Sequence, residues 1–102
     1  MTDSEDRPPP AVGAYWIMEQ DYPALLEIFG DRDRLPRTWN EWLKIAEEME
    51  SGLKAYGHTV MRVHIDPNTF SDWCAPHGMS PGSEGRKSFV AAAVTERYGD
   101  QN

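Results

Sequence analysis

The chain has 102 residues, of which 39% are hydrophobic and 11% aromatic. This length allows one domain with one core, and the aromatic content is typical of a folded chain rather than a disordered one. The 17 acidic residues outnumber the 10 basic ones and give a net charge of −7. Nucleic acid is therefore an unfavourable partner, because phosphate contacts need clustered lysines and arginines.

The N-terminal stretch MTDSEDRPPPAVG is acidic and then carries three consecutive prolines. It has neither the basic start nor the apolar run of a signal peptide, and no stretch of the chain reaches the length of a membrane span. Consecutive prolines favour an extended, solvated backbone. We therefore expect a cytoplasmic protein with no membrane segment: a disordered acidic and proline-rich tail over 1–13, a globular domain over 14–99 and a frayed C-terminus over 100–102.

The first half of the domain predicts a strand and two helices. Ala14–Met18 is a short aromatic and β-branched run, apolar on both faces, which indicates a strand covered on both sides. A short helix follows, with Asp21 as its N-cap, Pro23 in its first turn and Gly30 at its end.

The second helix is the longest predicted element. Thr38 and Glu41 have the spacing of a capping box, which marks a helix start. The apolar residues that follow recur at helical spacing and predict one buried stripe: Trp39, Trp42, Leu43, Ala46, Met49, Leu53 and Tyr56.

The second half repeats this order of elements. Thr59–Ile65 alternates apolar residues with a mixed set, so it predicts a strand with one buried face. Asp66 and Pro67 then open a third helix, and GRKSFVAAAVTERY from Gly85 to Tyr98 predicts a fourth. The order β-α-α-β-α-α places the chain in the α/β (α+β) class, as a small two-layer domain of two short strands and four helices. A two-helix crossover favours a parallel strand pair.

The stretch SDWCAPHG holds the only cysteine, Cys74, three residues before His77. Helical spacing places Cys74 on the same face as Phe70 and Trp73, whereas Pro76 disfavours helix before His77. We therefore interpret Cys74 as a buried, unreactive thiol and expect no metal site and no cofactor.

Two loops carry cations beside predicted helix starts. Arg34 and Arg37 precede the second helix and Arg86 begins the fourth, so each place combines positive charge with free backbone donors that suit an anion. Local ion pairs with neighbouring acidic residues (Asp31, Asp33 and Glu84) explain the same arginines equally well.

No catalytic motif is recognisable among the Ser, His and Asp residues. The leading interpretation is a non-enzymatic protein that acts through protein contacts, and the alternative is a small anion-binding, ligand-binding or catalytic protein that uses Arg34, Arg37 and Arg86. Two strands leave two open sheet edges, so the partner is a second copy of the chain, in a homodimer, or another protein. The candidate interface residues are Tyr15, Trp16, Val60, Arg62 and His64.

Overall fold

The computed structural model describes residues 11–99, so the predictions for residues 1–10 and 100–102 lie outside the described part of the chain. The small α+β domain and its β-α-α-β-α-α order are confirmed. Short 3-10 turns at Glu19–Asp21 and Arg32–Arg34 precede the first two helices. The elements are β1 (Val12–Trp16), α1 (Tyr22–Ile28), α2 (Trp39–Ala55), β2 (Val60–His64), α3 (Pro67–Cys74) and α4 (Ser83–Tyr98).

The two strands pair in parallel, as predicted, with Val12 opposite Val60 and Trp16 opposite His64. β1 begins two residues before its predicted start, because the Val12 N–H already donates a 2.8 Å hydrogen bond to the Thr59 carbonyl. The predicted tail extends to residue 13, but Gly13 lies within β1. A Cβ at Gly13 would collide with the side chains of Val90 and Val94, so α4 packs directly on this position.

Helices cover both faces of the sheet, as the two apolar faces of β1 predict. α4 lies on the face of Gly13, and on the opposite face the guanidinium of Arg62 reaches the carboxylate of Glu50 on α2 at 2.8 Å. α2 and α4 therefore pack on opposite faces of the small sheet.

Local capping signals account for the starts of α2 and α3. Thr38 Oγ1 accepts a 3.2 Å hydrogen bond from the Glu41 N–H, and Asp66 Oδ1 accepts one of 2.9 Å from the Thr69 N–H. Asp21 stands at the predicted N-cap position of α1, but its side chain makes no capping hydrogen bond because a 3-10 turn leads directly into the helix.

The predicted stripe of α2 is correct at its centre and wrong at one margin. Trp42 and Ala46 are buried, but Met49 and Tyr56 are exposed. Glu50, which the apolar pattern does not include, is buried through its ion pair with Arg62.

Trp42 connects β1, α1 and α2 in the core. Its ring centroid lies 6.0 Å from that of Tyr15, 5.5 Å from that of Trp16 and 6.2 Å from that of Tyr22. The remaining core is built mainly from fully buried apolar side chains of the helices and the segments that follow the strands: Tyr22, Phe29, Phe70, Ile17, Leu25, Ile65 and Cys74.

We predict that Trp42→Ala lowers the free energy of unfolding by about 3–5 kcal/mol, since it leaves a cavity among three aromatic rings. Chemical denaturation measures the effect. Tyr56→Ala is the matched control, because Tyr56 lies at the end of the same helix and is 85% exposed. Equal stability of the Trp42→Ala variant and the parent would contradict the central position of Trp42.

Candidate functional site

The predicted anion-binding residue Arg86 is occupied by a carboxylate of its own chain. Its Nη1 donates to Asp31 Oδ1 at 3.0 Å and its Nη2 to Asp31 Oδ2 at 2.6 Å. Two parallel charge-assisted hydrogen bonds of this kind are among the strongest polar contacts in proteins. The ion-pair interpretation of Arg86 is therefore the one observed, with a partner 55 residues away instead of the neighbouring Glu84.

The surroundings of Arg86 are aromatic. The guanidinium carbon lies 4.5 Å from the ring centre of Phe29 and 5.0 Å from that of Tyr15, and only 6% of the residue is exposed. The hydrogen bonds from Arg86 lower the pKa of Asp31, and the charge of Arg34 contributes a smaller part of the same effect. Arg86 thus ties the loop after α1 to the start of α4.

The other cations of the two loops have different surroundings. Arg34 and Arg37 are exposed. Arg32 caps the end of α1 by donating to the Glu27 carbonyl at 2.8 Å, and Lys87 pairs with Glu84 at 3.6 Å. Arg32 and Lys87 therefore satisfy neighbouring groups of their own chain.

The predicted interface residues fall in different environments. Trp16 is only 5% exposed, with Trp42 on one side and the guanidinium of Arg62 at 3.8 Å from its ring centre. It is a core residue, because the face of β1 that carries Ala14 and Trp16 is the face covered by α2. Tyr15 and Val60 are half-buried, and Arg62 and His64 are exposed.

The backbone hydrogen bonds of β1 identify its outer edge. The Val12 N–H donates to Thr59 and the Trp16 carbonyl accepts from the Ile65 N–H at 2.9 Å. In a parallel pair, alternate residues direct their backbone groups to the same neighbour. Val12, Ala14 and Trp16 therefore face β2, and the N–H and C=O groups of Gly13 and Tyr15 point away from the sheet.

A groove runs along this outer edge, with Gly13–Tyr15 as its floor and one helix on each side. We call it the β1 groove. Ile45 and Met49 of α2 form one wall, and Lys87, Val90 and Ala91 of α4 form the other.

The β1 groove is narrow beside Tyr15 and wider next to Val12. The two stretches beside Tyr15 have volumes of about 140 and 170 Å³, below the roughly 300 Å³ at which ligand pockets begin. The groove widens to about 420 Å³ next to Val12, where it is open to solvent.

The α2 wall is apolar and accessible. Ile45 is 55% exposed and Met49 50% exposed, and the two lie one helical turn apart. The charged residues that line the groove within residues 11–99 are all cationic, namely Arg34, Arg86 and Lys87, although the whole chain carries 17 acidic residues. The sequence gives no direct signal of this surface, because it is assembled from β1, α2 and α4.

Cys74 and His77 lie in different surroundings, as predicted from the Cys-x-x-His stretch. Cys74 is buried, and burial raises the pKa of its thiol. His77 lies in the turn beyond α3, where its ring stacks on Trp73 at 4.0 Å between centroids. Within residues 11–99, no three His, Cys, Asp or Glu side chains are grouped so that they could hold a metal ion.

The fold and the groove define a small α+β domain with a two-stranded parallel sheet that is open at the edge of β1. No family model, curated protein or solved structure matches the chain. Across residues 11–99, no helix has the length and apolar character needed to cross a membrane.

The Asp31–Arg86 ion pair predicts a specific pH dependence of stability. The pKa of Asp31 is lower in the folded chain than its value of about 3.9 in the unfolded chain. The ion pair therefore contributes its full stabilisation of the folded state at pH values above the unfolded pKa. This contribution is lost as the pH falls through the folded pKa. Urea unfolding of the parent and of Asp31→Asn should show a stability difference that is largest near pH 7 and shrinks below about pH 4. A difference that is constant down to pH 2 would contradict the pairing.

Burial of Cys74 predicts slow reaction with thiol reagents. We expect the folded chain to react with a thiol reagent such as a disulfide-exchange dye far more slowly than the chain in denaturant, since both accessibility and thiolate fraction are low. The denatured chain is the control. Equal rates in the two states would show that the thiol is accessible.

Proposed function

We propose that this chain is a non-enzymatic protein that acts by binding an extended polypeptide segment along the β1 groove. The observation that carries the proposal is the outer edge of β1, where the backbone groups of Gly13 and Tyr15 point into a groove with an apolar helix wall. A segment bound there would add a strand to the sheet, with main-chain hydrogen bonds for affinity and side-chain contacts for specificity.

The composition of β1 supports this proposal. Open strand edges are commonly protected from pairing by lysine, proline or a bulge. The strand VGAYW has none of these residues, and Gly13 and Tyr15 are its only members that direct backbone groups outward. A further strand would also extend a sheet that is smaller than the usual size of about four to six strands.

The length of the edge that can pair is limited at one end. The indole N–H of Trp39 donates a 2.8 Å hydrogen bond to the carbonyl of Ile17, the next outward-facing residue after Tyr15. The bound segment would therefore pair with Gly13–Tyr15, and its affinity would depend on apolar contacts with Ile45 and Met49.

The alternative, an anion-binding or catalytic site that uses Arg34, Arg37 and Arg86, has less support. Arg86 is buried and its charge is already balanced by two hydrogen bonds to Asp31, so it offers little positive charge to an incoming anion. We propose the cytoplasm as the compartment, since the one cysteine is a buried free thiol rather than part of a disulfide.

Site-specific photo-crosslinking in the native cell tests the proposal. A photoreactive phenylalanine analogue replaces Ile45 in the groove, and in a matched control it replaces Tyr56, which is exposed at the end of the same helix. We expect discrete protein adducts from position 45 that are absent from position 56. No adduct at position 45 above the control would contradict a polypeptide contact in the groove.

A further inference from the structure

We infer that the segment that occupies the β1 groove is β1 of a second copy of this chain, paired antiparallel about a two-fold axis at Ala14. The inference rests on the proposed function and names its partner. Of the predicted interface residues it uses Tyr15, whereas Val60, Arg62 and His64 lie on β2 and take no part.

The backbone of β1 is complementary to itself in this arrangement. In an antiparallel pair, two opposite residues can exchange both of their N–H to C=O hydrogen bonds. With the axis at Ala14, Gly13 of one chain lies opposite Tyr15 of the other, and both residues direct their backbone groups outward. The symmetric pairing therefore forms four hydrogen bonds and uses all the outer groups of Gly13 and Tyr15.

The side chains at the axis are also compatible. The side chain of Tyr15 lies on the same face of the strand as Gly13. In the antiparallel pair the Tyr15 ring of one chain would therefore lie next to Gly13 of the second copy, where no side chain blocks it. Ala14 would face Ala14 of the second copy at the axis, and its methyl group is small enough for two strands to approach closely.

Dimerisation would extend the sheet from two strands to four. The strand order becomes β2-β1-β1-β2, with β1 of both chains in the interior. Sheets in globular proteins usually have about four to six strands, and the dimer would reach this number. The edge that attracts other chains is then closed by symmetry.

The helices of the two copies meet along the same axis. A two-fold axis perpendicular to the sheet keeps each face on its own side, so α2 lies beside α2 and α4 beside α4, each pair antiparallel. Ile45 and Met49, half or more exposed in one chain, would then pack against the same residues of the second copy. On the other face the contact is formed by Val90 and Ala91.

The charges of the groove permit self-association of an acidic chain. Two copies with a net charge of −7 each repel one another at a distance. The groove lining within residues 11–99 contains no carboxylate, and two of its three cations, Arg86 and Lys87, are paired with Asp31 and Glu84 of their own chain. The contact therefore brings little unbalanced charge of either sign together.

Sedimentation equilibrium of the full chain over a wide concentration range tests the inference. We expect the parent to reach twice the 11.6 kDa chain mass, and we expect Ile45→Glu to raise the dissociation constant at least tenfold. Tyr56→Glu is the matched control, because it places the same charge at an exposed position at the end of the same helix, outside the groove. Its dissociation constant should equal that of the parent. A parent that remains at 11.6 kDa even when concentrated, or a dimer that Ile45→Glu does not weaken, would overturn the inference.

Amide hydrogen exchange of the parent provides a second test, which does not depend on a variant. The N–H groups of Gly13 and Tyr15 should exchange slowly in the dimer and at least tenfold faster on dilution, while those of Ala14 and Trp16, bonded to β2, should change little. Fast exchange of Gly13 and Tyr15 at all concentrations would overturn the β1 pairing. If the parent is monomeric but position 45 crosslinks to a different protein, the second copy is excluded and the proposed function remains.

Discussion

Two five-residue strands that run parallel cannot be joined by a tight turn, so the chain between them must return along the sheet. Here the return path contains α1 and α2, and the chain after β2 supplies α3 and α4. Because a parallel pair needs cover on both faces, α2 and α4 take opposite sides. The same constraint leaves the outer edge of β1 between the two helices, and this edge becomes the floor of the groove.

Two ion pairs fix the helices in this arrangement. Asp31 with Arg86 joins the loop after α1 to α4, and Glu50 with Arg62 joins α2 to β2. Each pair connects a carboxylate of the first half with an arginine of the second. The arginine also covers an aromatic ring in both cases, Phe29 for Arg86 and Trp16 for Arg62. A planar guanidinium can do both at once, whereas a lysine ammonium cannot.

Much of the fold could be predicted from local signals. The capping residues Thr38 and Asp66 mark helix starts by direct side-chain bonds to the backbone, so the sequence contains that information within four residues. The parallel pairing follows from chain connectivity, and the burial of Cys74 follows from its spacing to Phe70 and Trp73.

What could not be predicted depends on contacts between distant segments. Asp31 and Arg86 are 55 residues apart, so proximity in sequence pointed to the wrong carboxylate. Trp16 has the character of either a core or a surface aromatic, and only the packing of α2 on its face decides between them. Met49 belongs to the predicted buried stripe of α2 but is exposed, because it lies beside the open edge of β1 and not over the sheet. The groove as a whole has no sequence signal, because three separate elements build it.

The separation of the paired strands also affects how the chain reaches its structure. Pairing Val12 with Val60 closes a loop across nearly half of the chain, and contacts with such long closures form late in folding. During synthesis β1 leaves the ribosome well before β2, so both of its edges lack neighbours until the crossover helices are complete. α2, with its own capping box, needs no distant partner to begin forming. We therefore expect helix formation in the crossover to precede the sheet, and the five-residue length of β1 limits the area of unpaired strand that is exposed to other chains.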